Sequence, residues 1–149
     1  MASEDTKGQA EIEVFQRFIE ASGLPIDRER IEKRAPPEPD IRCHHETEGA
    51  IAFELVEMCD PRLAKSIAKL NEGYLRTADP SASIISKKLR KNYETDAPIE
   101  LLCYVSGRIV TPDSVILPTI QPYLRSWRHT FCRAWLLGRK GLYVVWHAG

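Results

Sequence analysis

The chain has 149 residues, 43% of them hydrophobic and 28% charged, with 21 basic side chains balanced by 21 acidic ones. That length suits one domain that buries roughly two-thirds of its unfolded surface. No apolar run approaches the ~20 residues of a membrane span. The polar, acidic start MASEDTKGQAE is unlike a signal peptide, and residues 1–8 read as a flexible N-terminus. Four widely spaced cysteines without a Cys-x-x-Cys pair point to reduced thiols and a cytoplasmic protein, not a disulfide framework. The zero net charge is segregated: residues 1–60 hold 7 basic and 15 acidic side chains, and residues 61–93 hold 8 and 2. An acidic site beside a basic surface is thus permitted, although charge alone does not establish one.

Gln9 to Ser22 has helical periodicity, with Ile12, Phe15, Phe18 and Ile19 on one face and Gly23 and Pro25 as terminators. Residues 26–35 are highly charged and read as a short helix or a solvated connection. Pro36, Pro37 and Pro39 then favour extended chain. Two strands, Glu38–His44 and Ala50–Met58, follow around the polar turn HETEG. Asp60-Pro61 starts a helix whose buried stripe is Leu63, Ile67, Leu70 and Tyr74. A second helix after Asp79-Pro80 repeats Ile85, Leu89 and Tyr93 every four residues. Pro98–Ser106 is a buried strand. Asp113–Trp127 reads as a helix that Pro118 and Pro122 shorten or bend. FCRAWLL, GRKG and LYVVWH form a terminal hairpin. The expected fold is therefore α/β (α+β), a mixed sheet flanked by helices.

The first hairpin carries the chemistry. Opposed residues of an antiparallel hairpin have a constant index sum, and a turn centred on Thr47 makes it 94. Asp40 then faces Glu54 on one side, while Ile41–Phe53 and Cys43–Ile51 pair on the other. Opposed carboxylates about 5 Å apart repel each other, and a hard divalent cation offsets that repulsion. A one-residue slip would instead turn both groups to an exposed face.

Pro39-Asp40 followed by an apolar strand containing Glu54 resembles the PD-(D/E)xK nuclease superfamily, which has the restriction-endonuclease-like fold. The likeness covers roughly residues 9–106. It implies a metal-dependent endonuclease acting on DNA, with Asp40 and Glu54 binding Mg²⁺ or Mn²⁺. It also implies a glutamate from the first helix near the metal; Glu20 is preferred over Glu13 as nearer the strand end. The motif lysine is replaced by Val56, so Lys65 or Lys69 from the following helix would take its role. The alternative that Val56 favours is an inactive member of the fold that binds nucleic acid or protein. A third reading is an α/β domain whose charged surfaces mediate assembly.

Lys87, Lys88, Arg90 and Lys91 form a basic run suited to backbone phosphates of DNA, or of RNA. The same run also fits an ordinary solvated helix face. Trp127, Trp135 and Trp146 read as core or homodimer-interface residues. Cys43, His44, His45 and Cys59 are zinc-capable, but neighbours in a strand point to opposite faces and do not converge. Gly138-Arg139-Lys140-Gly141 reads as a tight turn, with phosphate contact as the lesser alternative.

Overall fold

A computed structural model describes residues 2–58, 81–105 and 112–148. The helix expected from Asp60 to Tyr74, with Lys65 and Lys69, lies outside them. The elements are α1 (Ala2–Ser22), β1 (Glu32–Lys33), β2 (Ile41–His45), β3 (Gly49–Glu57), α2 (Ser81–Leu89), β4 (Ile99–Tyr104), α3 (Asp113–Ser126), β5 (Phe131–Leu137) and β6 (Leu142–His147). The six strands form one sheet in sequence order. β1, β2 and β3 pair antiparallel, β4 and β5 are added parallel, and β6 returns antiparallel. The protein is thus a mixed α+β fold with helices on both faces of a mixed sheet. Among the described residues no helix is long and apolar enough to cross a membrane.

The alternation of side chains along a strand makes the two cores. Ile51, Phe53 and Leu55 of β3 face α1, where they meet Val14, Phe15, Phe18 and Ile19. The Phe15 and Phe53 rings lie 4.9 Å apart, and Phe18 and Trp135 5.0 Å apart, both edge to face. Ala52 and Val56 face the opposite way and join Ile84, Ile85 and Leu89 of α2 with Ile116, Ile120 and Leu124 of α3. β4 is buried over five of its six residues, as expected for a parallel strand covered on both faces.

Three elements differ from the sequence reading. α1 extends back to Ala2, seven residues before the helix start read from the sequence. Gly8 is the poorest helix former there, at a cost of about 1 kcal/mol, and it passes close to Lys33. β1 lies within the charged 26–35 segment, where it is held by the edge of β2 and not by an apolar pattern of its own. α3 runs through Pro118 and Pro122 for 14 residues. Both prolines lie on its exposed face, where the carbonyls they leave without N–H partners are open to water.

The terminal turn is closed from inside the fold. Asp113, buried at the start of α3, accepts the N–H groups of Arg139 and Lys140, each at 2.9 Å, and the Tyr143 hydroxyl at 3.2 Å. GRKG is thus a tight turn, as the sequence suggests, with two of its backbone N–H groups engaged by an internal carboxylate.

Candidate functional site

The β2–β3 hairpin adopts the register with index sum 94: Ile41 pairs with Phe53, Arg42 with Ala52 and Cys43 with Ile51. Its turn is set by Gly49 at φ 80°. His45 is buried under that turn, where its Nδ1 accepts the N–H groups of Thr47 and Glu48, each at 3.2 Å. His45 thus has a structural task.

The register carries Asp40 to the place opposite Glu54, and the two lock through the backbone. The Asp40 N–H donates to Glu54 Oε1 at 3.1 Å, and the Leu55 N–H donates to Asp40 Oδ2 at 2.9 Å. Each remaining oxygen meets a lysine. Lys88 of α2 donates to Glu54 Oε2 at 2.6 Å. Lys33 of β1 lies 3.4 Å from Asp40 Oδ1 and 3.0 Å from Oε1 of Glu11, which is buried on α1. Lys33 pairs with Ile41 in the sheet and so leans toward the α1 side, which is why it reaches Glu11. The result is a chain of charges, Glu11–Lys33–Asp40–Glu54–Lys88, running from α1 around the end of the strands to α2.

Three carboxylates share two ammonium groups, and the titration behaviour reflects the shortage. Burial, and then the charge of Asp40, push the Glu54 pKa up against the opposing pull of Lys88. The same two causes, in the same order, raise the Glu11 pKa against Lys33. Burial works against the Lys33 charge, but the Glu11 hydrogen bond and the Asp40 and Glu11 charges outweigh it and leave its pKa raised. Lys33 is thus well compensated while Glu11 is not, because one ammonium is divided between two carboxylates. Tyr93 stands beside Glu54: burial first, then that carboxylate, push its phenol pKa up. Its hydroxyl is buried without closing a well-formed hydrogen bond among the described residues.

A stability prediction follows. Below the ordinary carboxyl value of 4.5, Glu11 is protonated in both the folded and unfolded chains. As pH rises through 4.5 toward the raised folded value, the unfolded chain releases its proton first, so stability falls across that window. Glu11→Gln mimics the protonated form. It should make the fall shallower and leave the variant at least as stable as the native chain at neutral pH. Urea midpoints from about pH 4 to about pH 8 measure this directly; an unchanged slope would refute it.

An open cleft of about 790 Å³ adjoins Asp40, lined by α1 from Lys7 to Glu13 and by Lys33 to Pro36. It gives the Glu11–Asp40 end of the charge chain access to a ligand.

The remaining candidates separate cleanly. Glu13 and Glu20 are exposed. Glu20 lies nine residues beyond Glu11, about 13 Å along the helix, so Glu11 is the helix glutamate beside Asp40. The overlooked signal is that Glu11 shares the buried stripe with Phe15 and Phe18. Lys88 is turned inward to Glu54, while Lys87, Arg90 and Lys91 are exposed. Burial pushes the Cys43 and Cys103 thiols up to about 12, which keeps both protonated and poor nucleophiles at neutral pH. Among the described residues no three His, Cys, Asp or Glu side chains are grouped to hold a metal ion. No family model, curated protein or solved structure matches the chain.

Proposed function

We propose that the protein is a metal-dependent phosphodiesterase acting on DNA, built on a restriction-endonuclease-like core. The order α1, antiparallel β1–β2–β3, then β4 parallel to β3 supports that core. The observation that carries the proposal is the Asp40–Glu54 pairing with Lys88 on the second carboxylate. In the family pattern a lysine follows the acidic residue by two positions. Here that position is Val56, and Lys88 supplies an ammonium from a later helix.

The donor set fits a hard divalent cation. Asp40 Oδ1 and Glu54 Oε2 are side-chain oxygens held by ammonium groups rather than by the backbone. Burial, and then the Asp40 charge, hold the Glu54 pKa up, and a bound cation would favour its charged form. Asp40 and Glu54 would hold Mg²⁺ or Mn²⁺, with Glu11 further out beyond Lys33. The ion would supply polarisation of the phosphate and a lower pKa for the attacking water. The chain's own contribution is positional. The Asp40 and Leu55 backbone N–H groups fix one oxygen of each carboxylate, and Lys88 offers a proton donor and positive charge beside Glu54.

One observation favours a second reading, a non-catalytic nucleic-acid-binding protein. All four oxygens of Asp40 and Glu54 already have partners inside the fold, as in a structural staple. Calorimetric titration with Mn²⁺ tests the first reading. Native protein should bind at ~10–100 µM (about 5–7 kcal/mol), and Asp40→Asn should not bind. No binding by native protein would sink the metal site. DNA binding that survives Asp40→Asn, with no cleavage under any metal, would establish the second reading.

A further inference from the structure

A basic recess lies where α2 and α3 both end. It has a volume of about 340 Å³ and is lined by Leu89 to Asn92 and by Trp127 to Thr130. The Arg90 guanidinium lies over the Trp127 ring, 5.2 Å from its centre, which restrains an otherwise exposed side chain. Arg90, Lys91 and Arg128 are exposed, and among the described residues none of them is in an ion pair. Among the described residues no acidic side chain lines the recess.

Basic residues after a helix also serve to balance its negative end, so magnitudes decide. Two helix C-termini supply about half a negative charge each, against three full positive charges in the lining. A surplus of roughly two remains for a ligand. His129, which also lines the recess, is held by the bond between its Nε2 and the Leu124 carbonyl at 2.9 Å.

We infer that Arg90, Lys91 and Arg128 form a phosphate subsite for a nucleic-acid strand engaged at Asp40 and Glu54. The inference rests on the phosphodiesterase reading for its choice of ligand. The planar guanidinium fork matches a phosphodiester, and the volume suits one phosphate or nucleotide better than a folded partner. The chain also links the two places. Lys88 points to Glu54, and Arg90, two residues on, stacks at the recess.

The test is fluorescence anisotropy with a fluorescein-labelled single-stranded oligodeoxynucleotide in EDTA, where cleavage does not intervene. Arg90→Gln and Arg128→Gln should each weaken binding roughly threefold to tenfold and reduce the salt slope by about one. Lys140→Gln, exposed on the terminal turn, should bind as the native chain does. Native-like binding by both arginine variants overturns the subsite. Displacement by polyglutamate as effective as by unlabelled DNA also overturns it, in favour of an acidic protein partner. Failure of the phosphodiesterase reading alone looks different: binding still depends on Arg90 and Arg128, but Mn²⁺ elicits no cleavage, and that result supports the subsite.

Discussion

Asp113→Ala should destabilise the fold by about 3 kcal/mol, although residue 113 stands apart from the candidate site. Hydrogen bonds to a charged acceptor contribute about 1.5–3 kcal/mol each when broken, and Asp113 accepts from Arg139 N, Lys140 N and Tyr143 Oη. Arg139 and Lys140 are exposed, so water recovers part of the loss and brings the total well below three full bonds. The lost charge at the start of α3 adds about 0.3–1 kcal/mol. For a chain of this length each kcal/mol shifts Tm by about 2–4 °C, so a fall of about 6–12 °C is expected. Asp113→Asn retains one acceptor oxygen and should lose about half as much. Gly138→Ala tests the same contact from the other side, because a Cβ there would run into the Asp113 carboxylate. A Tm change below about 2 °C in Asp113→Ala would show that the contact does not hold the hairpin.

What the sequence disclosed follows from how local each signal is. The β2–β3 register was legible because a polar five-residue turn and alternating apolar residues specify each other. That register places Asp40 against Glu54. β1 was not legible. Its two residues have no periodicity, and only the edge of β2 holds them extended. Glu11 and Lys88 were present in the pattern but were outweighed by their charge. Glu11 precedes Phe15 and Phe18 by four and seven residues, and Lys88 follows Ile84 by four, so both lie on buried stripes. A charged residue on a buried stripe marks a partner across the core. The Asp113 contact with the terminal turn spans 26 residues and depends on how α3 sits against β6. No local rule reaches that far.

On the phosphodiesterase reading, Lys88→Met should have the largest effect on activity, a loss of about 10²–10⁴-fold in Mn²⁺-dependent DNA cleavage. Methionine keeps the length and apolar stem of the side chain but deletes the ammonium 2.6 Å from Glu54 Oε2. Glu54, 5% exposed, would then face Asp40 without its cation. Breaking a buried ion pair costs about 3–5 kcal/mol when the surviving charge stays ionised. Protonation of Glu54 limits that cost and extends to higher pH the window in which stability falls. The same change separates the two readings of the site. If the carboxylates take a divalent cation, Mn²⁺ replaces the missing ammonium, so it should raise the Tm of Lys88→Met more than that of the native chain. If Lys88 and the carboxylates are only a staple, Mn²⁺ stabilises neither protein. The variant then loses stability without losing any cleavage, because the native chain has none to lose.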